Sequence, residues 1–416
     1  MSVDCDALVV GAGAAGAATS ILLALAGWRV VLAEQHRYPR RKVCGECIAP
    51  GNLPVLDALG VGAQFQTQAG PEIRRVGWMD GATTITADMP ACSVGAYPYG
   101  RALGRDRLDP LLLERARTLG VRILQPAKVR SVAGAAGSFQ CSLELSPGEE
   151  AERRGNTRIL HAPVVIDAHG SWERGPLLAA GPAADPHAPS DLFAFKANFR
   201  GTSLAPGLLP VLALRGGYGG MVVGDGGRTT VACCLRRDVL AACRTQAPGR
   251  CAGDAVEAFL RHSCAGVRNA LQHAQRDGGW VSVGPLRPGI RVDGRDGVFR
   301  VGNAAGESHP LIGEGISMAL QSAVLLAATL SPVEPASIAG ERAFDLQRRY
   351  AAAWHRAFAP RLRLAAVYAH VAMRPALARP VRALLGRYPA LLRSGARLAG
   401  KAARAAEASF TFAEIA

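Results

Sequence analysis

Lysine is scarce. Four occur in 416 residues (Lys42, Lys128, Lys196 and Lys401), so the net charge of +15 rests almost wholly on arginine. Arginine and alanine are raised together, as a GC-rich coding bias would produce. No RNA- or DNA-binding motif accompanies the charge, and no nucleic-acid partner is expected. Acidic lipid or an acidic carrier protein suits such a surface better. No apolar run reaches the length of a membrane span. The first residues read as a strand in place of a basic-then-apolar leader, and the ten cysteines are scattered; a reducing cytoplasm is the expected compartment. Cys44-Gly45-Glu46-Cys47 is a C-x-x-C without a second pair at zinc spacing, so no metal site is expected, and no redox-type helix start is evident. Repeats and true linkers are also missing. What remains is a chain long enough for two or three domains, with 49% hydrophobic residues and ordinary charged content, which excludes global disorder.

The strongest pattern is at the start. Ala7-Leu-Val-Val reads as a buried strand, followed by Gly11, Gly13 and Gly16 as G-x-G-x-x-G, an Ala-rich helix to about Ala26, and a second strand, Trp28–Ala33, ending at Glu34. Gly11 permits the tight turn, Gly13 lets a pyrophosphate approach the backbone, and Gly16 lets helix and strand pack closely. The helix N-terminus offers unpaired N–H groups and a positive dipole end. Glu34 stands where a carboxylate accepts bonds from an adenosine ribose. Strand, helix, strand and acid in this order predict a bound dinucleotide.

Further along, a basic loop covers Gln35 to Pro50, and a helix runs from Asn52 to Leu59. Strand patterns fill 71–98, and a helix over Arg107–Leu119 is stopped by Gly120. Val121–Leu124 reads as a strand, 128–166 as a small hairpin region ending in Val164-Val165-Ile166, and Phe193–Phe199 as an alternating strand. Tyr218–Leu235 reads as a hairpin around Gly224–Gly227, Val298–Val301 as a buried strand, and Ile316–Leu330 as a long apolar helix. From about 340 to 406 the pattern is helical and arginine-rich.

Two more motifs complete the set: Arg105-Asp-Arg-Leu-Asp before a helix, and Gly302-Asn303-Ala-Ala-Gly leading through His309 to Pro310-Leu-Ile-Gly313-Glu314-Gly315-Ile316. In this order they resemble the FAD-dependent monooxygenase superfamily with the para-hydroxybenzoate hydroxylase fold. Lys42-Val-Cys44-Gly-Glu46 resembles its geranylgeranyl reductase-related and flavin halogenase-like branch. The resemblance implies an α/β fold: a Rossmann-like FAD-binding domain (1–75, 99–185 and 281–335), an antiparallel substrate sheet inserted in it (76–98 and 186–280), and a helical C-terminal region (336–416). It implies FAD, with NAD(P)H or a partner reductase supplying electrons. It assigns cofactor contact to Gly11, Gly13, Ala14, Ala15, Gly16, Glu34, Gln35, Arg41 and Cys44, to Arg105 and Val129, and to Gly302, Asn303, Pro310, Gly313, Glu314, Gly315 and Ile316. A guanidinium at Arg105 suits a phosphate. The helix beginning near Gly315 would aim its positive end at the flavin ring.

Three places depart from the pattern. Asn303 stands where aspartate is usual. His169 replaces the aspartate of a central Asp-Gly pair, with Asp167 two residues away. Gly217–Val223 keeps Tyr218 but lacks the tryptophan and proline of the reductase and halogenase motif. Lys196 is the only lysine of the substrate region, and nothing in the sequence ties it to the flavin. The expected activity is hydroxylation of an aromatic or phenolic, polyketide-derived or lipid-like compound by O2 through a flavin C4a-hydroperoxide. Reduction of isoprenoid double bonds is the alternative, and halogenation a further one. His309 is the candidate base, with Glu46, Cys44 and Tyr218 as further catalytic candidates. The C-terminal helices are read either as plain packing or as a lid or peripheral membrane surface.

Overall fold

The computed structural model describes residues 3–93, 96–145, 156–170, 188–294 and 296–400. The expected helical residues 401–406 and the segment 171–185 of the expected cofactor domain lie outside these. A five-stranded parallel sheet runs in the order Phe299–Arg300, Val164–Asp167, Ala7–Val10, Val30–Ala33, Arg122–Leu124. Its central strand is buried at every position, as a parallel strand covered on both faces must be. The helix Ala14–Leu25 packs against Arg105–Thr118 and Gly315–Leu330. Its Ala-rich composition lets these helices approach closely.

The fold class is as the sequence predicts, with small shifts at element ends. The second strand begins at Val30, two residues after the expected Trp28. Gly27 is left-handed (φ 85°), and the N–H groups of Gly27 and Trp28 donate back to Ala24 and Leu23. Trp28 is therefore spent on closing the helix. Gly120 ends Arg105–Thr118 in the same way, with Val121 N–H donating to Ala116.

A seven-stranded sheet lies beside this unit in the order Gln275–Val283, Leu192–Arg200, Thr229–Arg236, Gly217–Val223, Leu208–Leu214, Arg75–Asp80, Thr83–Asp88. All its pairings are antiparallel except Leu208–Leu214 with Arg75–Asp80, where two distant chain segments meet. Side chains alternate between its faces. Phe195, Ala197, Phe199 and Cys233 pack with Val256, Leu260 and Val267 of the helices behind. Ala194, Tyr218 and Cys234 face the C-terminal helices, with Ala369, Ala372 and Leu385.

The C-terminal helices are Gly340–Ala372, Pro375–Arg387 and Ala390–Leu398. The first has 33 residues, about 50 Å of helix. Its N-terminal half is anchored on the parallel sheet: Gln347 donates to the Val298 carbonyl (2.9 Å), Tyr350 to that of Arg300 (2.7 Å), and Trp354 and Phe358 are fully buried. Its C-terminal half lies over the seven-stranded sheet. Among the described residues no helix is long and apolar enough to cross a membrane.

Candidate active site

Two cavities meet at the loop 40–47. The first, about 220 Å³, opens at the end of the first strand and is lined by Gly11, Gly13, Glu34, Gln35, Val129 and His169, with Arg40 and Lys42. Glycine is required here. A Cβ on Gly11 would stand 2.6 Å from the Ala168 carbonyl oxygen, and one on Gly16 would stand 1.9 Å from that of Gly11. Above Gly13 hang two cations, Arg105 Nη2 and Lys42 Nζ, at 3.4 and 3.5 Å from where its Cβ would be. Ala14 and Ala15 are buried in the first helical turn just below. Arg105 is held by a two-pronged bond to Asp109 (2.7 and 2.8 Å). Burial, and then the Arg105 charge, push Lys42 down to about 8.

Glu34 accepts the N–H groups of Ala12 and His36, both at 2.9 Å, and Tyr38 Oη lies 3.3 Å away. At the far wall Asp167 contacts His169 Nδ1, while Asp167 Oδ2 and His169 Nε2 are buried without a partner. Stacked cations over an uncapped helix N-terminus call for a polyanion. The unpartnered polar atoms beside them call for a polar ligand. The residues present fit FAD, with Lys42, Arg105 and the helix end placed to hold its pyrophosphate.

The third motif folds back onto the first. Gly302 is left-handed (φ 60°), and a Cβ there would lie 2.8 Å from the Ala15 Cβ. Its N–H donates to Ser322 Oγ (2.8 Å), and the Asn303 carbonyl accepts from Arg291 (2.7 Å). Ile316 is buried at the start of its helix, while Gly315 has open space before it.

Two expected cofactor contacts are placed elsewhere. Arg41 turns away from the groove and binds the carboxylate and carbonyl of Asp277 at the edge of the seven-stranded sheet. Its neighbours Arg40 and Lys42 take the groove side, as adjacent side chains of a non-helical stretch diverge. The Glu314 carboxylate is buried toward the C-terminal helices, 3.9 Å from Arg361 and against Gly400. It ties the 309–315 loop to those helices.

The second cavity is about 450 Å³. Its floor is the sheet, at Trp78, Ala194, Tyr218–Val222 and Cys234. Its roof is the C-terminal helices, at Val367, Tyr368, Val371, Leu385 and Leu392. Cys44, Gly45, Pro310 and Gly313 border it on the cofactor side. Among the described residues no charged side chain lines it. Tyr218 Oη is 3.3 Å from His309 Nδ1. Burial pushes the Tyr218 phenol up and the His309 imidazole down, so both are neutral at neutral pH.

Glu46 does not face this cavity as a free base. It is a buried, left-handed residue (φ 59°) whose carboxylate accepts from Lys196 Nζ, the Thr230 hydroxyl and the Arg105 N–H (2.9 Å). It is a post that joins the substrate sheet to the cofactor domain. Cys44 is half-buried at the border, and its sulfur accepts the Glu46 N–H at 3.3 Å. All ten cysteines are free thiols. Among the described residues no group of His, Cys, Asp and Glu could hold a metal.

The sequence reading missed Lys42 and Arg40 as groove residues and Lys196 as the partner of Glu46. The alternation of Leu192–Arg200 carried a signal for Lys196, because it places Lys196 on the face of Ala194, away from the packed aromatics.

The fold and the groove are those of a domain that binds FAD. Residues 4–175 match the FAD binding domain family. The chain is 33% identical over 152 residues to the menaquinone reductase of Mycobacterium tuberculosis, a stretch covering 36% of each protein. The matched stretch is thus about a third of that relative's length. Two solved structures share the fold at 20% identity. The myxobacterial chondrochloren halogenase CndH has a TM-score of 0.69 over 83% of this chain and 79% of its own. The anhydrotetracycline hydroxylase OxyS of Streptomyces rimosus has 0.66 over 95% and 75%.

Proposed function

We propose that the protein hydroxylates a phenolic ring carrying an apolar body, polyketide-derived or lipid-like, with O2 and electrons from NAD(P)H or a partner reductase. The observation that carries this reading is the uncharged cavity whose polar floor is Tyr218 backed by His309. Bound FAD would supply electron transfer and oxygen activation. The chain supplies the setting. The apolar walls disfavour water beside the reacting ring. Tyr218 Oη is placed to accept a phenol proton while passing its own to neutral His309 Nδ1, which raises electron density in the substrate ring. The test is oxygen uptake by the FAD-loaded protein with NADH or NADPH and a panel of alkylphenols. Uptake stimulated by one compound, with a product heavier by one oxygen atom, supports hydroxylation.

Cys44 at the cavity border and the relative named a menaquinone reductase favour a second reading, reduction of an isoprenoid double bond. Substrate-dependent reductant consumption without oxygen would establish it. Halogenation would show as a halide requirement. Among the described residues no lysine lines the cavity, and Lys196 is buried against Glu46.

A further inference from the structure

The outer faces of the last two helices do not look like ordinary surface. Ten large hydrophobic side chains are exposed among the described residues, and six of them lie between 367 and 398. Leu377 and Leu384, seven apart, share one stripe of Pro375–Arg387, and Leu391 and Leu398 share one of Ala390–Leu398. Clustering on this scale marks an interaction surface. The charge there is of one sign: Arg374, Arg379, Arg387, Arg393 and Arg397 are exposed, and no acidic residue occurs from 374 to 400.

The patch is continuous with the cavity. Val367 (57% exposed) and Leu391 (40%) both line it, so they form its rim on the outer side. We infer that these helices dock on the surface of a bilayer carrying anionic lipid, with the cavity rim turned toward the membrane so that an apolar substrate passes between them. The arginines meet headgroups while the leucines enter the acyl boundary. An acidic carrier protein would explain the arginines but not the exposed leucines. The purpose of the contact rests on the apolar-substrate reading; the contact itself is measured without substrate.

The experiment is co-sedimentation of the FAD-loaded full chain with vesicles of phosphatidylcholine alone or mixed with phosphatidylglycerol. The protein is expected to pellet with the mixed vesicles, less so as salt rises, and to stay in solution with phosphatidylcholine alone. The double variant R379Q/R393Q is expected to bind about 25-fold more weakly, at about fivefold per arginine. The variant L384E/L398E is expected to lose binding while keeping the wild-type melting temperature and flavin content. Failure of the wild type to pellet with acidic vesicles at low salt overturns the proposal. So does unchanged binding by L384E/L398E, or capture by an acidic protein with vesicles ignored. Turnover of a water-dispersed substrate separates this result from the functional reading, since it survives the loss of vesicle binding.

Discussion

Lys196 and Glu46 form an ion pair whose side chains are 1% and 3% exposed. Replacing Lys196 with methionine keeps the volume but leaves the Glu46 carboxylate buried with only the Thr230 hydroxyl and the Arg105 N–H. Removing one partner of a buried pair costs about 3–5 kcal/mol, whereas replacing both by neutral groups of similar shape is close to neutral. The entropy of unfolding is about 2.1 cal/mol/K per residue, so a chain this long melting as one unit loses about 1.1 °C per kcal/mol, and K196M should melt about 3–6 °C lower. The double variant K196M/E46Q should recover most of this, because a glutamine carbonyl still accepts from the Arg105 N–H while its amide N–H donates to the Thr230 hydroxyl. The assay is thermal unfolding by circular dichroism on FAD-loaded protein. A fall of less than about 1 °C in K196M, against the cost expected of an orphaned charge, would refute the reasoning. So would a double variant no more stable than the single.

The groove makes a contrasting pair of predictions: K42Q should weaken FAD binding about 10- to 100-fold, the range for a lost charge-assisted bond, whereas R41Q should leave it unchanged in a flavin fluorescence titration. A pH profile of kcat/KM tests the floor. His309 sits below its ordinary value of 6.5, so its neutral form persists and the acid limb should fall below that pH; H309Q should abolish this limb, and an unaltered limb would remove His309 from the reaction. Val371→Trp fills the roof of the cavity and should raise KM for long-chain substrates far more than for short alkylphenols; equal effects on both would place the apolar body elsewhere.

Local rules made the cofactor half legible. A tight turn, a close helix and a stopped helix each demand glycine at a fixed place, and Gly11, Gly16 and Gly120 meet those demands in the fold. What escaped depends on direction or distance. Whether Arg41 or Lys42 enters the groove turns on how one loop side chain points, and periodicity carries no such signal in a loop. Glu46 and Lys196 are 150 residues apart, joined only when the sheet closes on the cofactor domain. The alternation of apolar residues and arginines in the last helices is readable and allows a lid or plain packing; that their inner faces roof a cavity depends on tertiary packing. The resemblance assigns Glu314 to the cofactor, but its buried carboxylate lies 3.9 Å from Arg361 of the C-terminal helices, a contact between distant segments that no local pattern announces.

The parallel pairing of Arg75–Asp80 with Leu208–Leu214 has a consequence for how the chain can be assembled and cut. The outer two strands of the seven-stranded sheet emerge early, flanked on both sides by segments of the parallel sheet, and wait more than a hundred residues for their partners. Such long-range closure is slow and leaves an edge exposed meanwhile. A fragment of the middle segment alone would present Leu208–Leu214 as an unpaired apolar edge and should aggregate. The two layers are threaded through one another, so evolution or engineering can exchange the substrate sheet only by grafting both of its pieces at once.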